Sequence, residues 1–247
     1  ILASLSTTNT KRVLLTDALG QTLAEDIHAI FTLPPQDVSA MDGFAVRADD
    51  VAHCPANLTW VGESAAGHPW TGHVEFGQAV RIFTGGFVPN GADTIIIQEN
   101  VDIPSETDHT VITVREGAVK GRYIRPAGLD IAAGAVALAK GTLLSARSIG
   151  LAIAAGATCA VVSKPPRIGI FSTGDELVPP GKALGPGQII SSNAAFLSAF
   201  VTSCGAEAVD LGIAIDKPGA VSDAVMAATD LDMVVTTGGA SVGSHDH

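Results

Sequence analysis

The sequence predicts an α/β plus β-rich, multi-domain chain in which an antiparallel, barrel-like subdomain is inserted into an N-terminal domain and a partial three-layer α/β/α domain on a parallel sheet follows. Three observations carry that expectation. Residues 35–130 hold short β-branched or alternating apolar segments cut by glycines at 62, 67, 72, 77, 85, 86 and 91, with no sustained three-four apolar spacing. From Arg167 onward the pattern changes to alternating apolar strands and helices. Between the two patterns stands Pro165-Pro166, where neither residue donates a backbone N–H and the first restricts its predecessor to extended geometry. The expected bounds are 1–165, with the insertion at about 35–130, and 166–247.

In chain order, residues 16–20 are expected to form a one-turn helix with Thr16 as N-cap, followed by a strand over 23–29. Inside the insertion, strands are expected at 60–61, 80–83, 94–98 and 110–114, which are β-branched or alternating. Ser145 can cap a helix over 146–155 that Gly156 terminates, and 159–162 reads as a strand. These flanking elements can pack on each other, which makes the β-rich stretch an insertion between them. The later region reads as strand 168–171, helix 193–203 stopped by Gly205, strand 208–213, helix 218–228 and strand 233–235, a parallel βαβαβ arrangement.

The chain has 247 residues and 47% apolar content, enough to bury a substantial core. No run reaches the roughly 18 unbroken apolar residues of a membrane span. Its 25 acidic and 14 basic residues give a formal net charge of −11, which repels phosphate backbones and argues against nucleic acid. Cys54, Cys159 and Cys204 are odd in number and far apart, so no disulfide framework or zinc knuckle is expected and a reducing cytoplasm fits. The chain opens Ile1-Leu2-Ala3-Ser4 and closes on His245-Asp246-His247 just after a glycine-rich loop; both ends are expected to be cuts from a longer protein.

In open parallel sheets, ligands sit outside the carboxyl ends of the strands. Here those ends read Ser172-Thr173-Gly174-Asp175-Glu176, Asp216, and Thr236-Thr237-Gly238-Gly239-Ala240-Ser241-Val242-Gly243. The last of these can turn backbone N–H groups toward an anion, or can be the tight turn that any strand-to-helix junction needs. It also spells G-x-S-x-G, the nucleophile elbow of α/β-hydrolases, with Ser241 as nucleophile, yet only four residues follow it. Asp42, Asp130, Asp175, Glu176, Asp216 and Asp246 lie beside glycines or at strand ends, where hard carboxylate oxygens suit Mg²⁺ and where turn formation alone would also put them. The histidines at 28, 53, 68, 73 and 109 lack the spacing of a zinc protease, and His245 and His247 flank Asp246 at the chain end. Lys120, Arg122 and Arg125 form the compact basic cluster, which can receive an anionic substrate or be an ordinary exposed strand end.

Five stretches together resemble a known family: Asp37-Val38-Ser39-Ala40-Met41-Asp42-Gly43-Phe44-Ala45-Val46, Arg81-Ile82-Phe83-Thr84-Gly85-Gly86, Gly128-Leu129-Asp130-Ile131, Phe171-Ser172-Thr173-Gly174-Asp175-Glu176-Leu177, and Thr237-Gly238-Gly239-Ala240-Ser241-Val242-Gly243. Most of the chain is similar to the molybdopterin molybdenumtransferase family, the bacterial MoeA type that is also similar to the C-terminal region of gephyrin. The resemblance implies a cytoplasmic homodimer that inserts molybdenum from molybdate into the dithiolene of adenylylated molybdopterin, releasing AMP with the help of Mg²⁺. It implies activity-bearing roles for Asp42, Thr84, Asp130, Glu176, Asp216 and Asp246. It puts Thr237, Gly238, Gly239, Ser241 and Gly243 in the pterin-phosphate loop, with Asp246, Asp216 and Glu176 as metal ligands. A molybdopterin adenylyltransferase or a recipient molybdoenzyme is the implied protein partner; a catalytically silent pterin-binding scaffold and a Ser241 hydrolase are the alternatives. Leu129 stands where many members carry an acidic residue, and the chain stops short of the family's D-x-x-K segment, P-G-K-P loop and last β-rich domain.

Overall fold

The computed structural model describes residues 6–103, 111–214, 219, 222–223, 226 and 228–238. The chain forms two compact units. One comprises Ile27–Leu138 with Leu151–Ala157; the other comprises Ile1–Asp26, Ala139–Gly150 and Thr158–His247.

The first unit is built on a six-stranded sheet. Its strands are β4 (Gly43–Val46), β5 (Ala56–Ser64), β6 (Gln78–Ile82), β7 (Thr94–Ile97), β8 (Val101–Asp102) and β9 (Val111–Val114), in the order β7-β4-β6-β5-β9-β8. The expected strands are therefore present. The sheet is mixed rather than antiparallel, because β5 and β6 run parallel. Parallel neighbours cannot be joined by a tight hairpin, and residues 65–77 supply the longer crossover. Within that crossover Trp70 lies against two glycines: a Cβ on Gly62 or on Gly72 would fall 2.3 Å from its indole ring. Phe44, Val46, Leu58, Ala79, Ile96, Ile112 and Val114 form the main core, and Phe44 meets Trp60 edge to face with ring centroids 5.4 Å apart. Ala45, Ile82 and Ile95 make a second cluster, against which Tyr123 and Ile124 pack. Two short ladders complete the unit: β3 (Val38–Ser39) with β10 (Ile124–Arg125), and β2 (Ile27–His28) with β11 (Val136–Leu138).

The expected strand over 23–29 shrinks to β2, since the chain bends at Ala24 and Glu25, leaving single bridges at Thr22 and Leu23. The one-turn helix is a 3-10 turn over Leu15–Asp17 whose N-cap is Leu14, not Thr16; Thr16 lies inside it and no side chain caps it. Gln98 belongs to a 3-10 turn over Gln98–Asn100 and not to β7.

In the second unit, β1 (Thr10–Leu14), which the sequence did not announce, pairs antiparallel with β12 (Cys159–Ser163). Helix α1 (Ala146–Ala154), whose residues up to Gly150 belong to this unit and the rest to the first, begins as expected at Ser145, whose Oγ accepts the Ser148 N–H at 3.1 Å. It ends at Gly156, whose φ of +100° lets the Gly156 N–H reach Ile153 O at 2.9 Å and the Ala157 N–H reach Ala152 O at 3.0 Å. Strands β13 (Arg167–Thr173), β16 (Glu207–Ala214) and β17 (Met233–Thr237) form the parallel sheet in the order β16-β13-β17. Helix α2 (Ser192–Ser203) connects β13 to β16, and Gly205 follows it with φ +83°. Two short parallel strands, β14 (Leu177–Val178) and β15 (Ile189–Ile190), interrupt that connection and were not expected. The expected helix over 218–228 lies largely outside the described residues.

Candidate functional site

Three segments of the first unit are laced together at the ends of β4 and β6. The Ser39 N–H donates to Gly86 O and the Gly85 N–H to Ser39 O, both at 2.9 Å. Val88 N–H donates to Asp37 O, while the Asp37 side chain accepts the Ala127 N–H at 2.8 Å. Ala40 N–H reaches Tyr123 O at 2.8 Å, and β3 holds Ser39 opposite Ile124 and Val38 opposite Arg125. Residues 37–42, 84–88 and 123–127 are thus fixed against one another by main-chain bonds.

On this framework Asp42 and Thr84 meet. Asp42 Oδ1 accepts both the Thr84 N–H and the Thr84 Oγ1 hydroxyl, each at 2.8 Å. Those two bonds, the backbone one first, hold the Asp42 carboxyl below the ordinary carboxylate range, and the Arg81 guanidinium adds to the effect. Oδ2 makes no hydrogen bond or ion pair among the described residues. An exposed carboxylate with one oxygen fixed and the other free is ready to accept a hydrogen bond or ligate a cation. Arg81 sits between two aromatic faces, 5.0 Å from the Phe44 centroid and 5.2 Å from that of Phe83, and donates to Gln98 Oε1 at 2.7 Å. Gln98 in turn donates its N–H to Asp42 O at 3.1 Å. Glycine is required at position 43, where a Cβ would stand 1.9 Å from Ile96 O.

Asp130 is paired with Arg125, whose Nη2 donates to Oδ1 at 2.8 Å and Oδ2 at 2.9 Å. The basic cluster is therefore engaged: Lys120 lies 3.5 Å from the Asp93 carboxylate and Arg122 stacks on Tyr123.

In the second unit the carboxyl ends of β13 and β17 converge. Thr237 Oγ1 donates to Ser172 Oγ at 3.2 Å, and a Cβ on Gly238 would meet Thr173 O at 2.3 Å, so only glycine allows that approach at its φ of +96°. Glu176 folds its carboxylate over Gly174, with Oε2 2.6 Å from where a Cβ would be. Beside them a cavity of about 480 Å³ is lined by Gly174, Asp175, Ser191, Ala194, Asp210 and Ile213, among others. Asp216, Gly239, Ser241, Gly243 and Asp246 lie outside the described residues. Of the three expected metal ligands only Glu176 is described; it is a hard-oxygen donor of the kind Mg²⁺ takes, and no group of three acidic, His or Cys residues forms a metal cluster among the described residues. Among those residues no helix is long and apolar enough to cross a membrane.

Ser39 and Arg81 lie inside the motif stretches 37–46 and 81–86 with no role that the motifs assign, and Gln98 carries no motif signal; what ties all three to the site is pairing between segments distant in sequence.

Residues 1–156 match the model of the MoeA N-terminal region (domain I and II), and residues 169–247 match that of a probable molybdopterin binding domain. The molybdopterin molybdenumtransferase of Nostoc sp. is 36% identical over 244 residues, covering 97% of this chain and 55% of the relative. That of Haemophilus influenzae is 35% identical over 240 residues, covering 97% of this chain and 58% of the relative. The chain thus spans a little over half the length of these relatives. Among solved structures, a molybdopterin biosynthesis MoeA protein from Pyrococcus horikoshii superposes with a TM-score of 0.82 at 31% identity, covering 97% of this chain and 62% of that one.

Proposed function

The chain belongs to the MoeA family, and on that premise we propose that it works in molybdenum cofactor biosynthesis as a molybdopterin molybdotransferase, inserting molybdenum from molybdate into adenylylated molybdopterin with release of AMP. The observation that carries this reading is the Asp42–Thr84 pair: two residues from separate family motifs, 42 positions apart, share one carboxylate oxygen and leave the other free. Asp130, Glu176, Asp216 and Asp246 complete the proposed set of activity-bearing residues. Residues 1–165, carrying the β-rich insertion at about 35–130, are read as the N-terminal linker domain, and 166–247 as part of the pterin-binding domain.

Asp42, held in its ionised form, is a poor proton acceptor at neutral pH. It works instead by charge and by accepting a hydrogen bond at Oδ2, while Thr84 keeps Oδ1 from rotating into its place. Gly238, Gly239, Ser241 and Gly243, with Thr237, cradle the pterin phosphate through backbone N–H groups and hydroxyls. Glu176, Asp216 and Asp246 would hold Mg²⁺, which when bound neutralises phosphate charge and orients the departing AMP. Asp130 keeps Arg125 aligned as a donor for an anionic substrate. A cytoplasmic homodimer, with a molybdopterin adenylyltransferase or a molybdoenzyme as protein partner, belongs to the same reading.

The test is Asp246→Asn in the full-length protein. Removing a carboxylate from the metal set should lower AMP release by orders of magnitude while pterin binding, resting on loop N–H groups, survives. Wild-type AMP release by this variant at saturating Mg²⁺ would remove the metal role.

A further inference from the structure

Ser39 is almost fully buried, at 1% exposure, in a segment whose neighbours Met41 and Asp42 are exposed. A buried hydroxyl needs partners, and this one finds both on a single residue: Oγ donates to Met41 O at 2.6 Å and accepts the Met41 N–H at 3.3 Å. The main chain of Ser39 is at the same time bonded in both directions to the loop that carries Thr84, through Gly86 O and the Gly85 N–H. The outcome is a closed circuit. It runs from Ser39 through Gly85 to Thr84, across two hydrogen bonds to Asp42, and back through Met41 to the Ser39 hydroxyl.

We infer that Ser39 is a positioning residue for Asp42, closing with its hydroxyl the turn that aims the carboxylate at Thr84. The inference rests on the reading of Asp42 as an activity-bearing residue. The main-chain bonds of Ser39 fix where the Thr84 loop stands, but they leave the direction of residues 40–42 open. The far side of the turn is held by the Gln98 N–H on Asp42 O and by the Tyr123 carbonyl on Ala40 N–H. Neither reaches the two peptide groups that flank Met41, the N–H of one and the C=O of the other being taken by the Ser39 hydroxyl. Without it, those two peptides can rotate and exchange their bonds for water, and the carboxylate of Asp42 loses its fixed approach to Thr84. A serine that merely filled a buried gap would affect stability and nothing at Asp42.

The measurement is the titration of the Asp42 side-chain carboxyl by ¹³C NMR, assigned with Asp42→Asn, in the protein and in Ser39→Ala, Ser39→Cys and Ser39→Thr, with thermal melts recorded alongside. Thr84 supplies the two bonds that depress this group, and Arg81 on β6 is the charged side chain that acts on it; neither is altered. Ser39→Ala, and Ser39→Cys with its similar size and weak hydrogen bonding, should raise the midpoint measurably toward the ordinary range. Ser39→Thr, which keeps the hydroxyl, should hold it near the wild-type value. An unmoved midpoint in the cysteine and alanine variants overturns the inference whatever happens to the melting temperature. So does a shift that threonine fails to reverse. Should Ser39→Ala not fold, Ser39→Cys against wild type makes the same comparison. Because the readout needs no substrate, it stands apart from any failure of the proposed activity.

Discussion

In the six-stranded sheet every residue of β4 is buried, and Phe44, Ala45 and Val46 are wholly inaccessible. In the parallel sheet only the central β13 is buried along most of its length; β16 and β17 are half-buried or exposed, and no residue of α2 is buried. The candidate residues follow their surroundings. Asp42 and Thr84 stand on segments laced by main-chain bonds over a closed core, whereas Thr237, Gly238 and Glu176 are arranged by the approach of two strand ends. A parallel sheet is stable when both faces are covered, and α2 presents Phe196 and Phe200 to solvent at 67% and 57% exposure. Among the described residues the Asp42–Thr84 pair thus rests on a closed core, while Thr237, Gly238 and Glu176 rest on the contact of two strand ends.

The sharpest contrast is between aromatic truncations. Phe44→Ala should cost about 3–5 kcal/mol, because it empties the core beside Trp60. Phe200→Ala, on the open helix face, should stay within about 0.5 kcal/mol. Urea denaturation checks both, and equal losses would dissolve the distinction between the regions. Glycine substitutions come next. Gly43→Ala forces a Cβ against Ile96 O in a packed sheet and should cost about 3 kcal/mol. Gly238→Ala meets Thr173 O but at an exposed strand end, so its stability loss should be smaller and its main effect a loss of pterin binding, read by equilibrium titration.

A pH dependence follows from Asp42. Its folded-state pKa is lowered, so its ionised form contributes stability above the ordinary carboxylate range, and that contribution is lost as pH falls through the lowered value. The difference in melting temperature between wild type and Asp42→Asn should be widest above about pH 5 and should narrow below about pH 4. A small net effect is expected at Tyr123, a non-glycine residue held at φ +58° on the strand-side loop that faces Ala40. Tyr123→Asn relieves backbone strain but removes a ring that packs on the Ile82–Ile95 cluster and under Arg122, so thermal denaturation should show a net change within about 1 kcal/mol.

What the sequence conveyed about this fold tracked locality. The Ser145 and Gly156 boundaries of α1 and the β13–α2–β16 alternation were legible because caps and periodicity act within a few residues. The parallel pairing of β5 with β6 was not, since it depends on how residues 65–77 cross over, nor was β1, whose Thr10-Lys11-Arg12 start reads as polar chain until β12 pairs with it. At the site, Asp42 and Thr84 were legible through their motifs, while the circuit through Ser39, Arg81 and Gln98 emerges only from three-dimensional pairing.

The proposed part of Asp42, fixed by Thr84, in molybdenum insertion is measured by AMP release from adenylylated molybdopterin in the full-length protein at saturating molybdate and Mg²⁺. Asp42→Asn should reduce the rate about 100-fold or more, equivalent to about 2.7 kcal/mol of transition-state stabilisation, with pterin affinity little changed. A wild-type rate in that variant, with its Thr84 contact intact, would leave Asp42 without a part in the reaction.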